Sequence, residues 1–412
     1  MTNSDASAPA LRTIKKLRRT TVTTGIAIAA SAVLAACGSS SSGGGGASAP
    51  GVSGKQITIG LNLATSGPFA VLGQTAAGVQ AYFQQLDAAG GVNGYKFTAV
   101  TGNNANESAQ ANSVARQQAT STFTALGVAD NILDGMGPVA KETGEPIVVG
   151  ANGSLLNPPQ TYAYGLLPVY SSEGNFDANF IFNNLHTKNI AFVYSDDDYG
   201  QPVAGTISSY VKSQGGSLLA DLAVSPTQTD FAATAAKLKA SGAKVVLSWT
   251  DLVAMPQIQK AAAAIGYDPT WVSGFGIVSP GYTSVAGSLA KGVYADYFQY
   301  PLDLNNAAVN LYKSTMQKDS PSNIQSTFAQ QGWTFGAIVA EAVKEATAGG
   351  KKLTRAGYLA ALNSLPSGPV GLLSSVGFSS SRHYAANSAA MFQWTGTAWK
   401  QVSPYTTLPN AG

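Results

Sequence analysis

From residue 55 onward, short apolar runs alternate with longer segments whose apolar residues recur at helical spacing. Such runs predict strands, and such segments predict amphipathic helices. In the first half of the chain we predict strands at 56–63, 96–100, 123–128 and 146–149, and helices at 75–89, 107–120 and 132–143. The same alternation of strands and helices then repeats. We predict strands at 189–194, 217–223, 245–249 and 270–273, and helices at 201–214, 231–240 and 256–265. Residues 297–366 predict a further helical region that includes a helix at 332–348, and 371–401 is β-rich.

Strands that alternate with helices of this length indicate parallel sheets covered on both faces. Two similar successions predict an α/β protein with two lobes. Neither succession carries G-x-G-x-x-G or a P-loop lysine motif at its first strand–helix turn, so the sequence gives nucleotide binding no support. After residue 37, no apolar run is long enough to cross a membrane.

The first 54 residues have the pattern of a targeting signal followed by a flexible tether. Residues 12–19 are basic, and the apolar run at 25–36 is too short to span a bilayer, as in a secretory signal. The run ends in Leu34-Ala35-Ala36-Cys37, which resembles the lipobox of bacterial lipoproteins. That resemblance implies a signal peptide at 1–36 and lipidation of Cys37, with a buried cysteine near an ordinary cleavage site as the alternative. Residues 37–54 are rich in Gly and Ser and predict a flexible tether.

The charges are few, and they are unevenly placed. Of 24 Lys and Arg residues, five lie within residues 1–36, together with one of the 21 acidic residues, so the remaining chain is close to neutral. A near-neutral chain lacks the positively charged surface that is typical of nucleic-acid binding. One cysteine excludes an internal disulfide, and two histidines leave little for metal or triad chemistry. We therefore expect no cofactor and no metal.

Four segments resemble type I periplasmic binding proteins, and in particular the Leu/Ile/Val-type solute-binding proteins of ABC importers. Residues 57–70, ITIGLNLATSGPFA, resemble the family's opening strand and turn, and 88–94, AAGGVNG, resemble its GG(I/V)NG turn. Residues 190–201, IAFVYSDDDYGQ, resemble the strand and D-x-x-YG turn of the second lobe, and 230–238 resemble a DF-initiated helix. Their order and spacing extend the resemblance over about residues 55–400.

The resemblance implies two Rossmann-like lobes with parallel sheets, joined by a three-strand hinge. By position, the first lobe comprises 55–170 and 300–366, and the second comprises 171–299 and 367–405. The ligand is expected in the cleft between the lobes, at the carboxyl ends of the strands. The lobes then close about the hinge.

Candidate ligand-binding residues lie in the turns that follow the predicted strands, except Trp333, which comes from the later helical segment of the first lobe. They are Ser66, Phe69, Leu72, Asp130, Asn131, Asn152, Gly153, Ser154, Tyr199, Trp249, Asp251, Phe275 and Trp333. The acidic and amide side chains suit hydroxyl, amide or amine donors, and the large aromatic rings suit an apolar floor. The alternative for each tryptophan is packing in the core. For each acidic residue it is helix capping, since Asp130 directly precedes a predicted helix.

Three positions depart from the pattern that the resemblance implies for amino-acid binding. Asp130 stands where the family's amino-acid binders have a serine, Asp251 stands near their tyrosine, and Phe275 near their glutamate. A solute carboxylate beside ionised Asp130 would be repelled, because these turns contain no Lys or Arg. Asp251 is then the candidate that replaces the glutamate as partner of an ammonium group.

The sequence therefore predicts a lipid-anchored extracytoplasmic binding protein that delivers a small polar solute, such as an amino acid or an amide compound, to an ABC importer. Its expected partners are the solute, the permease and ATPase subunits, and the membrane through Cys37, and the protein is expected to be a monomer. We expect no enzymatic activity, since no G-x-S-x-G elbow lies between a strand and a helix. A ligand-sensing subunit of a membrane receptor and a lipid-tethered hydrolase are the alternatives.

Overall fold

The strands form two separate sheets in the computed structural model, which describes residues 49–409. The first sheet contains β1 (Val52–Ser53), β2 (Gln56–Leu63), β3 (Lys96–Asn103), β4 (Thr124–Val128), β5 (Ile147–Gly150) and β6 (Ala163–Gly165). The second contains β7 (Asn189–Ser195), β8 (Ser217–Val224), β9 (Val245–Trp249), β10 (Thr270–Ser273), β11 (Tyr294–Tyr297), β12 (Ser388–Trp394), β13 (Trp399–Gln401) and β14 (Thr406–Thr407). The division confirms the prediction of an α/β protein built on two sheets.

Helices follow most of the strands. They are α1 (Thr75–Ala88), α2 (Ser108–Gln118), α3 (Asp130–Thr143), α4 (Tyr170–Asn184), α5 (Gln201–Ser213), α6 (Ala232–Ala240), α7 (Ala254–Ala264), α8 (Pro280–Ala286), α9 (Ala307–Asp319), α10 (Thr327–Ala346) and α11 (Arg355–Leu362). We call the first sheet with α1–α3 and α9–α11 the first lobe, because α9 and α10 pack on α1 and α11 packs on α10. The second sheet with α4–α8 is the second lobe. The lobe boundaries given in the sequence analysis stay a prediction.

Parallel pairing dominates both sheets. In the first, β2 lies between β3 and β4, and the parallel order continues through β5 to β6, while β1 is antiparallel to β2. In the second, β8, β7, β9, β10 and β11 are parallel neighbours, followed by the antiparallel β12. Every residue of β4 and of β9 is buried, as expected for parallel strands covered on both faces.

Helix α10, from the later part of the chain, packs on α1 of the first lobe at a close helix crossing. A Cβ on Gly78 of α1 would lie 1.8 Å from the Ala329 carbonyl oxygen, and a Cβ on Gly332 of α10 would lie 2.0 Å from the Thr75 carbonyl oxygen. Both glycines therefore allow the two backbones to touch. This contact ties a segment more than two hundred residues away in sequence to the start of the fold.

Three segments cross between the lobes, at residues 166–169, 298–306 and 363–387. The third is joined to the end of β6 by a bond from Ala385 N–H to the Gly165 carbonyl, and to the first by a bond from Ala386 N–H to the Leu166 carbonyl. The second and third are joined by a bond from Tyr300 N–H to the Leu372 carbonyl. The three crossing segments therefore form one hydrogen-bonded connection, in agreement with the predicted hinge.

The predicted elements agree with the structure within a few residues, apart from β1, β6, β11, β14, α4 and α8, which the pattern did not predict. Helix α4 is the informative omission, since eleven of its fifteen residues are buried, including Ser171, Glu173 and Asp177. Buried polar residues interrupt the apolar stripe by which an amphipathic helix is recognised. The periodicity of apolar residues therefore does not reveal this helix.

Some sequence features lie outside the described residues. The signal peptide at 1–36, Cys37 and most of the 37–54 tether are among them. Among the helices of residues 49–409, none combines the length and the apolar character needed to span a bilayer. Within the same residues, no group of three or more His, Cys, Asp or Glu side chains is arranged to hold a metal ion.

Arg355, at the start of α11, anchors the first lobe. Its guanidinium donates to the carbonyl oxygens of Ala119, Thr122 and Phe123 at 2.7–3.1 Å, and lies 3.8 Å from the carboxylate of Glu145. The side chains of Arg355 and Glu145 are 13% and 1% exposed. Loss of one partner from a buried pair is costly, because the other charge is left unpaired.

Replacing Arg355 by Met should lower the free energy of unfolding by about 3 kcal/mol, since it leaves buried Glu145 without its cationic partner and several carbonyl groups without their donor. Urea denaturation followed by circular dichroism measures the loss. The matched control is Arg116→Met, which breaks the exposed Arg116–Glu142 pair of the same lobe and should cost less than about 1 kcal/mol. Equal losses in the two variants would contradict the anchoring role.

Candidate functional site

The carboxyl ends of strands from both sheets bring the candidate residues together. Asp130 follows β4 and Asn152 follows β5 in the first lobe, whereas Tyr199 follows β7 and Phe275 follows β10 in the second. Trp249 is the last residue of β9. In open α/β sheets, ligands bind in crevices outside the carboxyl ends of the strands. The sequence-predicted turns therefore occupy the part of the fold where a ligand is expected.

Five aromatic rings pack together, four from the second lobe and one from a crossing segment, and we call them the five-ring cluster. Its members are Tyr170, Tyr199, Trp249, Phe275 and Phe298. The Tyr199 and Trp249 rings are 4.9 Å apart, and Phe275 lies 5.2–5.8 Å from Phe298, Tyr199 and Tyr170. These separations are those of favourable aromatic pairs. The cluster combines three predicted residues with two that the sequence did not reveal.

Trp249 is held rigidly within the cluster. Its side chain is fully buried, and its indole N–H donates to Asp177 Oδ2 at 3.0 Å. A Cβ on Gly274 would lie 2.7 Å from the indole ring, so glycine is required for the strand end to approach it. Because it is buried and hydrogen-bonded, Trp249 belongs to the core of the second lobe. It also supports the residues of the site from behind.

Asp130 connects two turns of the first lobe. It opens α3 after Ala129, whose φ is +100°, and its Oδ1 accepts the Asn152 N–H at 2.8 Å. It makes no capping hydrogen bond to α3, so the capping alternative for this residue is wrong. Burial raises the pKa of Asp130 to about 6; the Asn152 N–H lowers this pKa, and the carboxyls of Asp198 and Asp134 raise it. Asp198 belongs to the other lobe, so a carboxyl of the second lobe contributes to the raised pKa of Asp130.

The Asn152 side chain forms a hydrogen bond between the first lobe and the second. Its side-chain carbonyl accepts the N–H of Ser154 at 3.1 Å and the N–H of Tyr170 at 3.3 Å. Tyr170 is the first residue of α4, where backbone N–H groups have no partner inside the helix. One amide side chain thereby orders a turn of the first lobe and the start of a helix in the second.

Three carboxyl groups lie behind the five-ring cluster, and we call them the buried carboxyl trio. They are Glu173 and Asp177 on α4 and Asp296 on β11, and each residue is 0% exposed. The Glu173 and Asp296 carboxyls are hydrogen-bonded to each other, and Asp177 Oδ1 lacks a hydrogen-bond partner. Burial raises the pKa of all three carboxyls, and neighbouring carboxyls raise the pKa of Glu173 and of Asp177 further. The raised pKa values favour the neutral, protonated form of these buried groups.

The remaining first-lobe candidates lie in different surroundings. Ser66 is exposed and accepts from Asn103 Nδ2, Phe69 is 51% exposed, and Leu72 is buried. Asn131 donates to the Asn106 carbonyl at 2.7 Å. Trp333 is buried and packs edge-on against Tyr82 and Tyr312, in a hydrophobic cluster separate from the five rings.

Three other candidates have local structural partners. Gly153 is buried, and a Cβ there would lie 2.9 Å from the Tyr384 ring. Ser154 is exposed and borders a cavity of about 770 Å³ that Val169, Ser171 and Tyr384 also line. Asp251 is exposed and accepts the N–H groups of Val253 and Ala254 at 2.8 and 2.7 Å, which orders the turn into α7. The structure does not bring these residues into contact with the five rings.

The comparisons with known proteins agree with this architecture. A model of the periplasmic binding protein family matches residues 56–398, and the chain therefore belongs to that family. The Leu/Ile/Val-binding protein homolog 1 of Brucella abortus (strain 2308) is 27% identical over 276 residues, which are 64% of this chain and 72% of that protein.

Two solved structures show the same fold. The fatty acid ABC transporter substrate-binding protein from Thermomonospora curvata has a TM-score of 0.75 at 17% identity, over 89% of this chain and 98% of that chain. The branched-chain amino acid transporter substrate binding protein LivJ from Streptococcus pneumoniae, in complex with isoleucine, has a TM-score of 0.72 at 23% identity, over 85% of this chain and all of that chain (100%). At these identities the likeness concerns the fold.

Replacing Trp249 by Ala should lower the free energy of unfolding by about 3–5 kcal/mol, because a fully buried indole is removed from between the lobe core and the site. Chemical denaturation of the ligand-free protein measures the change. Trp249→Phe keeps a ring but removes the N–H donor to Asp177, so it should cost less, about 1–3 kcal/mol. Unchanged stability in the alanine variant would mean that Trp249 is not part of the core.

Proposed function

We propose that this protein is the extracytoplasmic substrate-binding subunit of an ABC importer, and that it captures a small polar solute between its lobes. The observation that carries this proposal is the hydrogen bond from the Tyr170 N–H of the second lobe to the Asn152 side chain of the first, beside Asp130, at the strand ends of a periplasmic binding protein. Amino acids and amide-bearing compounds are the starting candidates, supported by the names of the relatives. The protein acts by binding, without catalysis, as a monomer.

The mechanism follows from the two lobes and the three crossing segments. A solute that contacts both lobes stabilises the arrangement in which they are close, by the difference between its affinities for the two arrangements. The crossing segments serve as the hinge of that movement. The solute-bound form is then the one that the permease recognises, and the partner ATPase subunits supply the energy of transport.

A lipid anchor on Cys37 would keep the binding protein at the membrane face where the permease opens. The supporting observation is the sequence Leu34-Ala35-Ala36-Cys37 after a basic and an apolar stretch. Several acyl chains are needed for stable anchoring, since a single chain binds a membrane only marginally. The Gly- and Ser-rich residues after Cys37 would let the folded part reach the permease.

The solute is found by a thermal-shift screen of the mature protein against amino acids, amides, polyols, amines, aromatic acids and fatty acids. A solute present at 100 times its Kd should add about 2.7 kcal/mol to the free energy of unfolding. Cells that lack the protein should then lose uptake of the radiolabelled solute, and the wild-type gene should restore it. If the protein binds a solute whose uptake is unchanged in those cells, the result would instead favour a ligand-sensing subunit of a membrane receptor.

Replacing Cys37 by Ser should move the protein from the membrane fraction to the soluble extracytoplasmic fraction, because the acylated thiol is lost. Immunoblots of the two fractions, together with mass spectrometry of the mature N-terminus, measure the change. Ser39→Ala, two residues further on, is the control and should leave the protein at the membrane. Retention of the Cys37 variant at the membrane would contradict the lipid anchor.

A further inference from the structure

We propose that a cavity at the predicted hinge is a second ligand site, and that it binds a small neutral ring compound with an oxygen acceptor. The cavity has a volume of about 340 Å³, and neither the candidate ligand-binding residues nor the five-ring cluster lines it. It is therefore distinct from the site at the strand ends. The inference goes beyond the proposed function, because it adds a site that the capture of the solute does not use.

Both lobes and one crossing segment enclose this space, which we call the hinge cavity. The second lobe contributes Thr283 of α8, Tyr297 of β11 and Trp399 of β13. The second crossing segment contributes Asp303, and the first lobe contributes Gln330 of α10. Pockets for small molecules occur preferentially where separate parts of a protein meet in this way.

Aromatic and aliphatic side chains form much of the wall of the hinge cavity. The Trp394 and Trp399 rings are 5.5 Å apart, and Pro301 and Leu302 of the crossing segment also line the space. An apolar cavity of about 150 Å³ is large enough to hold benzene. The hinge cavity accordingly has room for one ring and a polar substituent.

Two aromatic residues bring unpartnered polar groups to this wall. Tyr297 and Trp399 are 3% and 5% exposed. Trp399 donates its backbone N–H to Asp303 Oδ2 at 2.7 Å, but its indole N–H has no partner within residues 49–409, and neither has the Tyr297 hydroxyl. Buried indole and phenol groups usually have a hydrogen-bond partner, so a group without one calls for an explanation. An oxygen acceptor on a ligand would provide that partner.

Tyr282 provides a contrast within the same lobe. It lies on α8 next to Thr283 and is 0% exposed, but it does not line the hinge cavity. Its hydroxyl donates to Gln259 Oε1 at 3.0 Å. This buried phenol away from the cavity therefore has a protein partner, whereas the phenol of Tyr297 at the cavity has none.

The charge around the hinge cavity favours a neutral ligand. Asp303 is exposed and lines the cavity, whereas no Lys, Arg or His among the described residues does. A ligand carboxylate would therefore meet a like charge without a compensating cation. A cation offers no acceptor to the Tyr297 hydroxyl and the Trp399 indole N–H. The compound that fits is neutral, with a ring for the wall and an oxygen for the two donors.

A compound in the hinge cavity contacts both lobes at once. The Tyr297 ring lies 5.6 Å from the ring of Phe298, a member of the five-ring cluster. On α10, Thr334 follows Gln330 by one turn and accepts from Gln299 Nε2 of the second crossing segment at 2.7 Å. A ligand between these groups favours the arrangement of the lobes in which it is enclosed.

The experiment titrates the mature wild-type protein with benzamide by isothermal titration calorimetry. Benzamide is neutral and joins one ring to an amide oxygen. Benzoate keeps the ring and the shape but is an anion, and acetamide keeps the amide without the ring. We expect benzamide to bind roughly tenfold more tightly than either, since Asp303 repels benzoate and acetamide buries little apolar surface.

Tyr297→Phe removes the unpartnered hydroxyl and keeps the ring. It should weaken benzamide binding about fivefold, the effect of one hydrogen bond, while the urea midpoint of the ligand-free protein stays unchanged. The matched control is Tyr282→Phe, which removes a hydroxyl that is bonded to Gln259. The control should lower the urea midpoint and change the affinity for benzamide less than about twofold.

A second pair of variants tests the location of the site. Thr283→Tyr should fill the hinge cavity and abolish benzamide binding, whereas Ser284→Tyr adds the same side chain at an exposed neighbouring position outside the cavity and should bind as the wild type does. Circular dichroism establishes that each variant is folded. In the wild type, benzamide should slow hydrogen exchange of the backbone amides in 298–306 and in α8, and leave β3 unchanged.

The possible results separate this inference from the proposed function. Binding of benzoate or acetamide as tight as that of benzamide overturns the ligand class, and unchanged binding in Thr283→Tyr overturns the site. A flat titration with benzamide on folded protein means that water alone fills the cavity, which also overturns the inference. None of these results affects the proposed function, because the thermal-shift screen and the uptake assay test it separately.

Discussion

A parallel sheet covered by helices on both faces can offer polar groups to a solute only where its strands end. That constraint governs this protein, because β4 and β9 are buried along their whole length. The side chains that follow them, beginning with Asp130 in one lobe and Trp249 in the other, are thereby directed to the same region. The crossing segments, with hydrogen bonds such as that from Tyr300 N–H to the Leu372 carbonyl, set how the two edges face each other.

Local order at this edge comes from side chains that replace missing backbone partners. Asn152 accepts from the first residue of α4, and Asp251 accepts from two N–H groups ahead of α7. Both residues were candidates for ligand contact from their position after a strand, and both have a structural role. Asn152 combines that role with a place between the lobes, whereas Asp251 is exposed and serves its own turn. Position after a strand predicts where a polar side chain lies, but its partners depend on the turn.

The sequence predicts the alternation of strands and helices well, because parallel strands and amphipathic helices have distinct apolar patterns. It does not predict α4, since Glu173 and Asp177 stand at buried positions that periodicity assigns to apolar residues. Asp296 is equally hidden, because nothing in the chain near β11 indicates that this strand faces α4. The buried carboxyl trio is a property of tertiary packing. Trp333 was a candidate from the later helical segment, yet it lies within α10, and the crossing of α1 and α10 buries it against Tyr82.

The same fold serves different solutes, since one neighbouring structure carries the name of a fatty acid transporter substrate-binding protein and another is in complex with isoleucine. In this protein, the Asn152 side chain of the first lobe accepts the Tyr170 N–H of the second, so the two lobes meet at their strand ends. On the proposed function, a solute stabilises the closed arrangement only by the difference between its affinities for the closed and the open lobes. The side chains that reach the solute from both lobes therefore decide which solute brings a closed binding protein to the permease.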